Sequence, residues 1–149
     1  MTNEETVELL NNLLTKAYDA EQGYEHAAER ASSSPALAKF FQDQSALRLS
    51  IGHELKSLIS NYGGEPDKGA SVAAKAHQIW ITVRDLVEGG DDEAILEECK
   101  RGEKAALEEY DEALSSGALP NDVRDTLSDH RSRITTALDT IHLKEAMAD

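Results

Sequence analysis

A chain of 149 residues, 40% hydrophobic and 5% aromatic, suits one domain. A domain of that size buries roughly 68–70% of the surface its unfolded chain exposes, so neither a disulfide nor a metal is needed for folding. The 29 acidic residues outweigh the 15 basic ones to leave a formal charge of -14, which disfavours nucleic acid and anionic membrane as partners because both call for basic patches.

Alanine, leucine, glutamate and lysine are plentiful, prolines number three, and long runs of Val, Ile and Thr are absent, so the expected class is all-α. The lone cysteine, Cys99, cannot form an intramolecular disulfide, and its helical position predicts burial; a reduced cytoplasmic setting is the expectation. The opening MTNEETVELL has neither a basic n-region nor an apolar core, so no signal peptide is expected. No uncharged apolar run approaches the ~20 residues of a membrane span.

The first predicted helix covers about residues 3–31, with Thr2 and Glu5 spaced as a capping box. Its apolar seam, in steps of three and four, is Val7, Leu10, Leu14, Ala17, Glu21, Tyr24, Ala28 and Ala31, and Glu21 interrupts it. Ser34 followed by Pro35 is an N-cap and first helical residue for a second helix over 35–62, which Gly63 and Gly64 stop. Its inward positions are Leu37, Phe41, Gln44, Arg48, Ile51, Leu55, Leu58 and Tyr62, so Gln44 and Arg48 are polar midway.

The segment GGEPDKGAS is the longest expected irregular stretch and hence the crossover of the fold. A short helix over 72–87 follows, whose apolar face carries Val72, Ala76, Ile79, Trp80 and Val83. That face is expected to lie on the bundle or on a second subunit, with His77 and Trp80 as candidate interface residues of a homodimer. Gly89-Gly90-Asp91-Asp92 closes it and caps a helix over 92–116, with seam Leu96, Cys99, Glu103, Ala106, Tyr110 and Ala113. After a turn at 115–120, the last helix runs over 121–146 with seam Val123, Leu127, His130, Ile134, Ala137 or Leu138, and Ile141. Two helical hairpins joined by a long crossover containing a short extra helix describe an antiparallel four-helix bundle.

The polar misfits lie near the midpoints of their helices, and at ~1.5 Å rise per residue antiparallel packing brings them to similar heights. A buried layer of Glu21, Gln44, Arg48, Glu103 and His130 is therefore predicted. Two carboxylates and an imidazole on facing helices suit a transition metal, whereas Arg48 in their midst would take the place of the cation. His26, among Glu25 and Glu29, and His53, beside Glu54, fit a solvated surface better than a chelating pair. Tyr24 and Tyr110 are expected in the core beside the glutamates. No phosphate loop, nucleophile elbow, Cys-x-x-Cys or His-Glu-x-x-His spacing is present.

The chain resembles the ferritin-like superfamily, and more closely a bacterial family of ferritin-like four-helix-bundle domains of unknown function. The resemblance covers nearly the whole chain. It is carried by Glu21-Gly23-Tyr24, Arg48, Glu54-Leu55 before Tyr62-Gly63-Gly64, His77 with Trp80, the GGDDEAILEE run, and Gly102-Glu103 with Tyr110. In metal-loaded members of the superfamily, the first and third bundle helices each give a Glu and the other two a Glu-x-x-His motif. Glu21 and Glu103 match the single glutamates. The other half is absent, because the residues three before the five histidines are Gly23, Ser50, Ala74, Leu127 and Asp139.

Two readings follow. In the first, a metal-free and non-enzymatic relative, Arg48 lies between Glu21 and Glu103, with Gln44 and His130 completing the hydrogen bonds and no cofactor. In the second, iron or manganese is bound by Glu21, Glu103 and His130, with Glu54 or His53 as a further ligand, in a metal carrier or oxidase.

Overall fold

The computed structural model describes residues 1–30, 34–67 and 92–148. The predicted 72–87 helix, with His77 and Trp80, lies outside the described residues, as does the segment 31–33. Four helices are described: α1 (Asn3–Arg30), α2 (Pro35–Asn61), α3 (Asp92–Leu114) and α4 (Asn121–Ala148). None of them is long and apolar enough to cross a membrane.

The helix ends follow local chemistry. At the start of α1 the Glu5 backbone N–H donates to the Thr2 hydroxyl at 3.1 Å, and that hydroxyl donates to the Glu5 carboxylate at 3.2 Å. Ser34, in extended conformation, accepts from the Leu37 N–H at 3.2 Å, and Pro35 opens α2 without wasting a backbone donor. The other end of α2 closes by a Schellman arrangement: Gly64 N–H reaches the Ile59 carbonyl and Gly63 N–H that of Ser60, both at 3.0 Å. Gly63 adopts φ 79, the left-handed region that an L side chain resists. Helix α3 ends two residues earlier than its sequence predicts. Arg124 from α4 meets that end, donating to the Leu114 carbonyl at 3.0 Å, one of the acceptors a helix end leaves open, and to the Ser116 carbonyl just beyond it at 2.5 Å.

Helices α1 and α2 pack along each other as one hairpin and α3 and α4 as the second; α1 also touches α3, and α2 touches α4. The cross-links fix antiparallel directions. Lys16 pairs with Glu109 between α1 and α3, while Glu54 meets His130 and Tyr62 meets Asp122 between α2 and α4. The chain therefore leaves α2 beside the start of α1 and re-enters at the opposite end of the bundle. Its departure is fastened to α1: Asn11 donates to the Glu65 carbonyl at 3.2 Å and accepts from the Asp67 N–H at 2.9 Å, and the Tyr18 hydroxyl donates to the Asp67 carbonyl at 3.3 Å.

The interior consists of two apolar clusters. One holds Leu10, Leu14, Ile51, Leu55, Ile59, Val123 and Leu127 among others. The second holds Tyr24, Ala27, Phe40, Phe41, Ile95, Cys99 and Ile141. Full burial of a large aliphatic or aromatic side chain contributes about 1.5–3 kcal/mol, so these clusters carry the stability of the bundle. Along α2, Arg48 falls between Phe41 and Ile51; along α3, Glu103 falls between Cys99 and Tyr110. A charged layer thus divides the two clusters.

Candidate functional site

The seams of α2 and α3 point Arg48 and Glu103 into the centre, where they meet across the bundle diagonal. The guanidinium Nη2 donates to Glu103 Oε1, with the two residues 3% and 0% exposed. Burial raises the Glu103 carboxyl above the ordinary carboxylate range, and the adjacent Arg48 charge and the Tyr24 hydroxyl oppose that rise. An arginine stays protonated under all conditions at which a protein folds, so this position holds a permanent cation. Arg48 Nε and Gln44 Oε1 are buried and make no hydrogen bond among the described residues. Gln44 itself is only half-buried.

Tyr24, fully buried against Phe41 with ring centroids 6.1 Å apart, stands beside Glu103. Burial, and next the Glu103 charge, push its phenol well above the ordinary range. On the same helix as Glu103, Tyr110 packs edge-on to the ring of His130, with centroids 5.9 Å apart. Its hydroxyl lies 3.2 Å from His130 Nδ1, and His130 Nε2 lies 2.6 Å from Glu54 Oε2. An ionised carboxylate only accepts, so Nε2 carries a proton towards Glu54, and the Tyr110 hydroxyl, which both donates and accepts, partners Nδ1 in either protonation state of the ring. His130 is completely buried, whereas the Glu54 side chain is 40% exposed. Burial lowers the His130 imidazole below its ordinary value, against the raising effect of Glu54.

Between α1 and α3 a narrow crevice reaches this layer. Arg48, Tyr110 and Ile51 line it, Gly102 and Ala106 form its wall, and the Lys16–Glu109 ion pair stands on its rim. Its volume is about 20 Å³, room for one water.

The structure brings together Arg48, Glu103 and their tyrosine neighbours, and it buries His130, but Glu21 does not take the place expected for it. Glu21 is half-buried, and no hydrogen bond or ion pair joins its side chain to Arg48 or Glu103. Its carboxyl is raised first by burial and next by Glu25, and it feels Lys56 and His53 of α2. The contact to α2 made by this residue is through its backbone, whose carbonyl accepts from the Ser45 hydroxyl at 3.1 Å. The expected Glu-Arg-Glu arrangement is therefore a single Arg48–Glu103 pair. Glu21 sits four residues after Ala17, on the flank of α1 turned to α2, whereas the interior takes Ala20, Tyr24 and Ala27. His130 completes a chain to Glu54 and Tyr110 in place of a bond to Arg48. Glu54, expected beside a solvated His53 or as an added metal ligand, is the partner of His130; its signal was a carboxylate next to the buried Leu55 and six residues beyond Arg48. Asp19, 6% exposed, was not anticipated at all. Among the described residues no three His, Cys, Asp or Glu side chains converge as a metal-ligand group.

The four antiparallel helices and the long connection between hairpins define a ferritin-like four-helix bundle. A mutant of the Dps1 protein of Mycobacterium smegmatis has the same fold, with a TM-score of 0.81 over 96% of each chain at 12% sequence identity. The chain belongs to the family described as Domain of unknown function (DUF2383), whose model matches residues 5–116. No curated protein matches the sequence.

Proposed function

We propose that this chain is a metal-free member of the ferritin-like class, in which the Arg48–Glu103 pair replaces a di-metal centre and the protein acts as a structural or binding module and not as an oxidase. The observation that carries the reading is the guanidinium on Glu103. A metal at the bundle centre would need that carboxylate, and a fixed cation on it both occupies the donor and repels a divalent ion. Glu21 makes no side-chain bond to Arg48 or Glu103 among the described residues, and His130 already spends both ring nitrogens on Glu54 and Tyr110, so the remaining donors suit a metal poorly. The fold by itself assigns no chemistry.

A bundle without a reaction centre acts through its surface. The sequence of the 72–87 segment, with His77 and Trp80 on or near one apolar face, makes a homodimer contact part of this proposal. Elemental analysis of protein grown with iron and manganese and purified without chelator tests the centre. The expected result is no stoichiometric metal. About one metal per chain, lost on Glu103→Ala, would overturn the reading in favour of iron or manganese chemistry. Light scattering of Trp80→Ala tests the contact: the dimer is expected to dissociate, and an unchanged mass removes it.

A further inference from the structure

Helices α1 and α3 lie side by side yet touch far less than the helices within either hairpin. The cause is local sequence: toward α1, α3 presents Gly102, Ala105, Ala106 and Ala113, which are too small to fill the space between the two helices. Outside the narrow crevice, past the Lys16–Glu109 ion pair that both share, the gap opens into a groove of about 660 Å³ along the first half of α1 and the last turns of α3.

The groove has an apolar floor and acidic rims. Leu13 and Ala113 form the floor at 6% and 8% exposure, with the half-buried Leu9 beside them. Glu5 and Glu8 stand on the α1 rim and Glu112 on the α3 rim, all three exposed. The Lys16 ammonium, which also lines the groove, is taken up by Glu109. Glu5 accepts from the Thr2 hydroxyl, but among the described residues no cation pairs with Glu5, Glu8 or Glu112. We propose that this groove docks a cationic amphipathic helix of a partner protein. Its apolar stripe lies on Leu9, Leu13 and Ala113, and Lys or Arg on either side of the stripe meet Glu5 and Glu8 across one rim and Glu112 across the other.

The chemistry of the walls selects that occupant. A linear polyamine would answer the carboxylates and leave the floor wet, and a divalent ion would need converging carboxylates, which the described residues do not offer. Both walls are helices whose backbone groups are already hydrogen-bonded, so they present no edge to an extended strand; a helix brings its own backbone satisfied. An anionic partner would meet a chain of charge -14 and be repelled. From residue 5 to residue 16 the α1 wall runs about 16 Å at ~1.5 Å per residue, which sets the occupant at about three turns. The proposal rests on the reading of the chain as a binding module and is indifferent to the metal question, so metal content and helix binding can fail separately.

The test is fluorescence anisotropy of the full chain with a labelled model helix of about 14 residues, carrying a Leu stripe in steps of three and four with Lys on both flanks, at about 0.15 M salt. Saturable binding is expected. It should weaken about tenfold or more in Glu8→Lys/Glu112→Lys, and less than about twofold in Asp125→Lys/Asp139→Lys, which makes the same charge change at exposed positions of α4. A second peptide with Ser in place of Leu keeps every charge and should not bind. No saturable binding below about 1 mM, equal loss in the two variants, or binding of the Ser peptide would each overturn the proposal, the last two by reducing it to the general field of an acidic protein. So would a change in the mass of the free protein on Glu8→Lys/Glu112→Lys, read by light scattering, because a second copy would then occupy the groove. Should that variant fail to fold, the comparison of the two peptides on the parent still decides.

Discussion

Replacing Arg48 by Met removes the cation paired with a fully buried carboxylate while keeping most of the side-chain volume. Glu103 is 0% exposed, and its remaining neighbour, Tyr24, supplies a hydroxyl but no charge. Breaking a buried pair in this way costs about 3–5 kcal/mol. Total stabilities of domains run about 5–15 kcal/mol, so the loss is a large share of what holds the bundle. With a urea slope near 2 kcal/mol/M, the midpoint should drop by roughly 2 M. The double variant Arg48→Met/Glu103→Leu should recover most of that loss, because an apolar pair of similar volume has no charge to desolvate. The pH dependence has a definite sign. Without Arg48 the Glu103 carboxyl is left mainly to burial, which raises it above the unfolded value. Its contribution is then present at low pH and lost as the pH rises through the raised value, so the deficit of the single variant relative to the parent narrows on acidification. Urea titrations of parent, single and double variants at two pH values measure all of this. A single variant within about 1 kcal/mol of the parent, or a double variant no more stable than the single, would refute the reasoning.

Glu21→Ala makes the contrasting case: with its carboxylate raised by burial and Glu25 and no ion pair to lose among the described residues, stability should stay within about 0.5 kcal/mol of the parent by the same titration. Gly64→Ala should destabilise by about 1–3 kcal/mol, since the new Cβ would stand 2.5 and 2.6 Å from the two Cγ atoms of Val7; calorimetry checks it, and an unchanged Tm would show that α1 yields freely there. Ser34→Ala removes the acceptor for the Leu37 N–H and should cost about 1 kcal/mol, read as a lower urea midpoint. The Cys99 thiol is completely buried, and burial followed by the Glu103 charge pushes it well above its ordinary range. A thiol reagent should therefore modify it at a rate set by unfolding, and prompt reaction in native buffer would contradict its placement.

Much of the bundle is written locally. Ser34 before Pro35 and the Gly63-Gly64 pair fix the ends of α2 through backbone donors and acceptors that only neighbouring residues need satisfy. The seam of α4 follows from helical period alone, for Val123, Leu127, His130, Ile134 and Ile141 are all buried as their spacing requires. The end of α3 is less local, because Arg124 of another helix supplies its cap.

The centre of the bundle depended on the other three helices. Around a buried position such as Ala17 both the residue three ahead and the residue four ahead lie within reach of the interior, so periodicity permits Ala20 or Glu21. The interior took Ala20, in the cluster that holds Phe41, Ile95 and Cys99, and Glu21 was left half-buried, where it feels the charges of Glu25, Lys56 and His53. In the same way the sequence by itself determined that polar groups would lie at mid-height in α2, α3 and α4. Only the tertiary structure decided their partners, joining Arg48 to Glu103 across the diagonal and giving His130 to Glu54 and Tyr110. Spacing along one helix sets height and approximate direction, but a hydrogen bond needs partners placed to within a few tenths of an ångström, and three-dimensional packing alone supplies that.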